Sequence, residues 1–216
     1  MTFRAARPGR ERRGLVIAAA AVWLVLVGFG FDVLWSYSAS PGISAAAPLS
    51  WPTESRIALS ATEPTLLVVL HPHCPCSRAT VRELALLMAH AVGRVAAHVL
   101  VARPDGVDES WSKTDIWRSA EAIPGVRVTS DDEDVEARRF RVETSGQTLL
   151  YGTDGRLLFS GGITPSRGHS GDNAGRATIL DIIAERSTDR STTPVFGCHL
   201  FNPVPQCAEG VGRCRS

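Results

Sequence analysis

Apolar and polar positions alternate in three different rhythms along the chain. From Leu15 to Phe31 the sequence LVIAAAAVWLVLVGFGF carries no charged or strongly polar side chain. A helix of about 17 residues spans roughly 25 Å, just short of a bilayer crossing, and Trp35 and Tyr37 stand where interfacial anchors sit. Residues 32–55 show no sustained periodicity and are rich in Ser, Ala, Gly and Pro, which predicts a linker. Thr65 to Leu70 (TLLVVL) is a short continuous apolar run rich in β-branched residues, the pattern of a buried central strand. Ser77 to Ala91 places Val81, Leu84, Ala85, Leu87 and Met88 at helical spacing, with Arg82 and Glu83 expected on the outer face. Arg94 to Val101 predicts a second buried strand, Ser112 to Ala122 a helix, and Val126 to Thr129 a short strand. An acidic start at Asp131 to Asp134 leads into another helix ending near Phe140. Gln147 to Tyr151 and Arg156 to Phe159 flank an Asp154-Gly155 turn and predict a hairpin. The last helix is expected over Ala174 to Glu185, capped by Asp172 or Asn173.

The predicted order βαβαβαββα implies an α/β fold, in which helices flank a largely parallel sheet and the hairpin adds an antiparallel edge. It divides the chain into a basic segment (1–13), a transmembrane helix (14–34), a linker (35–55), a globular domain (56–186) and a Cys- and Pro-containing tail (187–216).

Charge orients this plan. The net charge is +1, but residues 1–13 carry +4 and the remainder −3. A mildly acidic body lacks the basic patch that nucleic acid requires, so no nucleic-acid partner is expected. Arg4, Arg7, Arg10, Arg12 and Arg13 precede the apolar run, and the positive-inside rule puts the N-terminus in the cytoplasm. The globular domain is then extracytoplasmic or periplasmic, held at the inner membrane by a single pass. Ala45-Ala46-Ala47 leaves a cleavable signal peptide as the alternative, although those alanines lie well past the apolar run. Five cysteines in an exported chain are compatible with disulfides.

The candidate chemistry lies in Leu70-His71-Pro72-His73-Cys74-Pro75-Cys76-Ser77, where a buried strand meets a helix start. Unpaired amides and the helix dipole there favour a thiolate over a thiol. A protonated His71 or His73 would add to the effect. A strand, a Cys-rich turn with Pro75, a helix and a βαββα unit ending on Gly161-Gly162 resemble the thioredoxin superfamily. HPHCPCS, SGGITPSRGHSGDNAGR and VFGC together are similar to the exported proteins labelled RedB, over roughly residues 56–200. The resemblance implies a thioredoxin-like mixed sheet and a thiol redox activity without cofactor, acting on a protein thiol or disulfide substrate. It also implies that the loop from Gly161 to Gly175 borders the cysteines and brings Arg167 and His169 with it. Arg167 is then expected to lower a thiol pKa and His169 to shuttle protons or bind metal.

The chain departs from thioredoxin in three places. Only Pro75 separates the two cysteines, and in a helix positions i and i+2 point roughly 200° apart, so a Cys74–Cys76 disulfide demands a non-helical turn. Val68 stands where a buried acid is usual, and Gly146-Gln147 replace the proline before the hairpin. Cys74 is expected to be the nucleophile, being first in the turn and the more exposed. Cys198 is either structural or a third redox partner, and Cys207 with Cys214 are candidates for a local disulfide. The competing chemistry is copper(I) handling by Cys74, Cys76, His71 and His169, since thiolate and imidazole suit soft metals. His90 and His98 are expected to be structural, and Trp111 and Trp117 to pack a helix on the sheet.

Overall fold

A computed structural model describes residues 8–201, with side chains from residue 12 onward. Cys207, Cys214 and most of the basic N-terminal segment lie outside the described residues. The chain forms two units, residues 1–39 and 40–216.

The first unit is helix α1 (Pro8–Ala39), longer than the expected 14–34 because no helix breaker intervenes before Ser40. Its 28-residue stretch from Arg12 to Ala39 is apolar enough to cross a membrane, and none of its most apolar window is buried. By length and composition this helix is a candidate membrane span.

The second unit contains β1 (Thr65–Leu70), α2 (Pro75–His90), β2 (Ala96–Arg103), a single 3₁₀ turn (Glu109–Trp111) and α3 (Asp115–Glu121). There follow β3 (Val126–Asp132), α4 (Val135–Arg139), β4 (Gln147–Tyr151), β5 (Leu157–Gly162) and α5 (Ala174–Ile183). The sheet order is β3-β2-β1-β4-β5, with β1 parallel to β2, β2 parallel to β3, and the β4–β5 hairpin antiparallel beside β1. This mixed five-stranded sheet between helices is a thioredoxin-like fold.

The central strand divides the core by its pleat. Leu66, Val68 and Leu70 face α2, α3 and α5, meeting Val81, Leu84, Leu87, Ile116 and Ile179. Leu67 and Val69 face the other side, against Phe140, Leu149 and Tyr151. That second face carries only α4, five residues long, which cannot cover it. The segments expected as linker and tail do so instead. Ala47 and Leu200 are buried there, with Trp51, Ile57 and Leu59 packed alongside. The Trp51 ring meets Phe140 and Tyr151 edge-on at 4.9 and 5.1 Å, and Tyr151 donates its hydroxyl to the Pro48 carbonyl at 2.9 Å. Residues 40–55 thus belong to the packed body, and their lack of periodicity reflects irregular backbone rather than slack chain.

Glu83 departs from expectation. It is fully buried, ion-paired with Arg176, and accepts the Gly171 amide (2.7 Å) and the Asn173 side-chain amide (3.0 Å). The carboxylate of α2 therefore ties down the loop leading to α5, whose first turn is capped by the Asn173 side chain. Trp117 is core, as expected, while Trp111 lies elsewhere.

Candidate functional site

The turn between β1 and α2 sets the chemistry. Pro75 occupies the first helical position, where its missing amide costs nothing and its fixed φ suits the helix. Cys74 is therefore the N-cap, with extended backbone (φ −87°, ψ 121°). Its carbonyl accepts the Ser77 amide (3.0 Å), and its own amide donates to the His71 carbonyl (3.2 Å). The 200° divergence expected between Cys74 and Cys76 assumed that both were helical. Because Cys74 lies outside the helix, that divergence does not apply, and Cys76 is the foremost influence on the Cys74 pKa.

A second buried layer fixes the turn. Ser145 Oγ accepts the His71 amide at 2.8 Å, Ser77 Oγ donates to the His71 carbonyl at 2.9 Å, and the two hydroxyls meet at 2.9 Å. Since the Ser77 proton is already committed to His71, Ser145 donates to Ser77. Ser145 and Gly146 precede β4, where thioredoxins carry their proline, and no cis peptide is present among the described residues.

A third cysteine completes the cluster. The segment 191–200 runs past β5 and then alongside residues 143–145. The Ser145 amide donates to the Cys198 carbonyl and the Leu200 amide to the Glu143 carbonyl, each at 2.8 Å. A Cβ on Gly197 would collide with the Ser145 carbonyl, and one on Gly162 would lie 2.6 Å from the Pro194 carbonyl, so glycine permits the close approach at both places. Arg167 fastens the segment by donating Nη1 to the Gly197 carbonyl (2.6 Å) and Nε to the Ser40 carbonyl (2.9 Å).

Cys74, Cys76 and Cys198 are all thiols in the structure. The Cys74 pKa is pulled down to about 4, foremost by the Cys76 S–H, then by the Cys198 S–H and the backbone amides of Cys198 and Cys76, with burial opposing. The same contacts act inversely on the donors. Cys76 is raised, chiefly because its proton serves Cys74, and Cys198 is pushed up to about 12 by burial and by its bond to Cys74. The groups of Cys76 and Cys198 thus favour the thiolate form of Cys74 over the thiol. The charge of Arg167 bears on Cys76 and Cys198, where it opposes the upward shift.

The exposure expected of Cys74 is corrected: it is 2% exposed and Cys76 is 7% exposed, because the N-cap is closed over by the segment carrying Cys198. What singles out Cys74 is its donors. His71 is half-buried, and burial lowers its pKa against the opposing pull of Cys74. Its Nδ1 accepts the His73 amide at 3.2 Å. The rings of His71 and His73 pack edge-on against Trp111 at 5.3 and 4.7 Å. Sequence periodicity did not place Trp111 here, because it lies on a 3₁₀ turn outside any regular pattern.

The copper set expected from sequence is not assembled. His169 is exposed in the loop, its Nδ1 2.7 Å from the Arg167 carbonyl, and His71 is engaged with His73 and Trp111. Among the described residues no group of three or more His, Cys, Asp or Glu is disposed to hold a metal ion. His90 is exposed, with Nδ1 2.7 Å from the Leu86 carbonyl, and His98 is half-buried in β2, where burial lowers its pKa.

No protein-family profile matches the chain, and no curated protein does. Solved structures do. An uncharacterized conserved protein from Geobacillus kaustophilus superposes with a TM-score of 0.54 at 15% identity, over 77% of this chain and 95% of its own. A hypothetical protein from Sinorhizobium meliloti gives 0.51 at 16% identity, over 74% and 93%. A secreted disulfide oxidoreductase of Mycobacterium tuberculosis gives 0.42 at 16% identity, over 59% and 84%. The first two likenesses extend the fold over most of the chain.

Proposed function

We propose that the protein is a membrane-anchored, RedB-type thiol–disulfide oxidoreductase whose domain works outside the cytoplasm on protein thiols and disulfides. The observation that carries this reading is the place of Cys74 at the N-cap of α2, two residues from Cys76 and beside the segment that carries Cys198, where its pKa is lowered to about 4, chiefly by Cys76. A thiolate is the attacking form in disulfide exchange. Cys74 Sγ attacks one sulfur of a substrate disulfide, displacing the other as a thiolate that takes a proton from water. A neighbouring thiol then loses its proton and attacks Cys74 Sγ, releasing the second substrate thiol and leaving the protein pair oxidised. Run backwards, the same steps oxidise a substrate dithiol. The five arginines before the apolar run that starts at Leu15, and the apolar length of α1, support the topology.

Copper handling by Cys74, Cys76, His71 and His169 is the competing reading, and the dispersal of the two histidines argues against it. Replacing Cys74 with Ser is expected to lower insulin-disulfide reduction by at least about 10³-fold while the fold is retained. Undiminished reduction would refute the oxidoreductase reading, and stoichiometric copper in the wild-type protein, lost with both cysteines, would replace it.

A further inference from the structure

The segment that closes the site brings more than cover. Val195 and Leu200 are 1% and 3% exposed, and they pin the chain on either side of Cys198, which itself is only half-buried. Between these anchors the backbone is held from two directions. The Cys198 carbonyl takes the Ser145 amide, and the Gly197 carbonyl takes Arg167. Only a residue without Cβ fits at 197, so the approach of this segment to the β4 start is built into the sequence. Ser145 thus ties Cys198 through its amide and the cysteine turn through its hydroxyl, which meets His71 and Ser77, so Cys198 is held beside the turn that carries Cys74, and its groups help to lower the Cys74 pKa.

A covering segment that merely excluded water would need no sulfur at this point. Two sulfurs held at one turn are placed for exchange once one of them is part of a disulfide. Cys76 faces a tighter closure, since a bond to Cys74 must span a single residue whose φ is fixed by its ring. Cys198 approaches from a separate segment and carries no such local constraint.

Resting on the oxidoreductase reading, we propose that Cys198 is a resolving cysteine of the site, closing a Cys74–Cys198 disulfide in turnover. After Cys74 has attacked a substrate disulfide, Cys198 gives up its proton and its sulfur attacks Cys74 Sγ. The Cys74–substrate bond breaks, the substrate leaves as a thiolate, and the Cys74–Cys198 bond forms. Two electrons pass from the two protein thiols to the substrate disulfide. A dithiol reductant returns the pair to the starting state. The C-terminal segment is then part of the redox site, and its covalent attachment to the N-cap alternates with turnover.

The test uses the full chain in detergent with Cys207 and Cys214 replaced by Ser, which leaves three thiols. The reduced protein is exposed to glutathione disulfide, quenched with acid and read by mass spectrometry. In Cys76→Ser, the glutathione adduct on Cys74 is expected to resolve to a Cys74–Cys198 cross-link. In Cys76→Ser/Cys198→Ser the adduct is expected to persist at a level at least about tenfold higher. Cys76→Ser/Cys198→Ala should behave the same way, which guards against a folding artefact of one substitution, and thermal melting of each variant confirms that it is folded. Equal adduct in the single and double variants, with no Cys74–Cys198 peptide, would overturn the role of Cys198 while leaving Cys74 as nucleophile. A wild-type chain that forms neither adduct nor cross-link would overturn both proposals together.

Discussion

Helices α2 and α4 each begin on an ionisable side chain at the N-cap, yet the two groups are driven in opposite directions. At α2 the Cys74 thiol is pulled down to about 4; at α4 the Asp134 carboxyl is pushed up to about 6 by burial and by the neighbouring Asp131. Both residues are nearly inaccessible, so burial alone does not decide the outcome. The two starts differ in how their donors are spent, although the two amides given to Asp131 do not outweigh its burial, which raises its pKa as well. Asp131 already accepts the Glu136 and Ala137 amides at 2.8 and 2.7 Å, so the start of α4 has been satisfied before Asp134 can use it. Asp134 adopts a left-handed backbone (φ 54°), and its Oδ1 has no hydrogen-bond partner among the described residues. The Cys74 pKa instead is lowered by the groups of Cys76 and Cys198, which outweigh its burial. A helix start is favourable to an anion only when its amides, or donors brought from elsewhere, are still available.

Glu83 supplies a third case, a carboxylate fully buried inside α2 yet given Arg176, Asn173 and the Gly171 amide. If donors rather than burial govern, Glu83→Gln should cost the most stability of the substitutions considered, about 3 kcal/mol, because it strands the Arg176 charge. Chemical denaturation measures this, and a loss near zero would break the comparison. Next in size, Cys76→Ala removes the foremost donor to Cys74. A hydrogen bond to a charged group contributes about 1.5–3 kcal/mol and one pKa unit corresponds to about 1.4, so the Cys74 pKa should rise by roughly 1–2 units. The pH dependence of alkylation reads it directly. An effect similar in size to that at Glu83 and opposite in sign is expected at Asp134. Its folded pKa lies above the unfolded value of 3.8, so its contribution is intact below about pH 4 and is lost as pH rises through about 6. Asp134→Asn should therefore gain up to about 3 kcal/mol over wild type at pH 7, and that gain should vanish by pH 4. A gain independent of pH would instead reflect the tolerance of Asn for the left-handed backbone.

The regular elements were legible because their burial is periodic. TLLVVL reads as a central strand, and the Asp154-Gly155 turn marks the β4–β5 hairpin, with β4 at the expected residues. The setting of the candidate cysteine turn was legible too, since Cys74-Pro75-Cys76 falls where the pattern changes from the β1 strand to the α2 helix. What escaped the sequence was everything held by irregular backbone. Ala47, Trp51 and Leu200 cover one face of the sheet without any repeating pattern, and Trp111 reaches the histidines from a 3₁₀ turn. Glu83 looked like a surface residue because helical spacing shows which face it shares and says nothing of a distant arginine. Gly197 beside Cys198 was the available signal for the third thiol. Reading it required knowing that the Ser145 carbonyl would lie against it.

The account depends on Cys74 being ionised in the reduced protein when ordinary thiols are not. Titrating thiolate ultraviolet absorbance in the reduced chain, against Cys74→Ser as the blank, measures this most directly. One thiolate per chain should appear with a midpoint near pH 4 and be fully formed by neutrality. A midpoint near the ordinary thiol value of about 8.5, with no difference from the blank below pH 7, would contradict it.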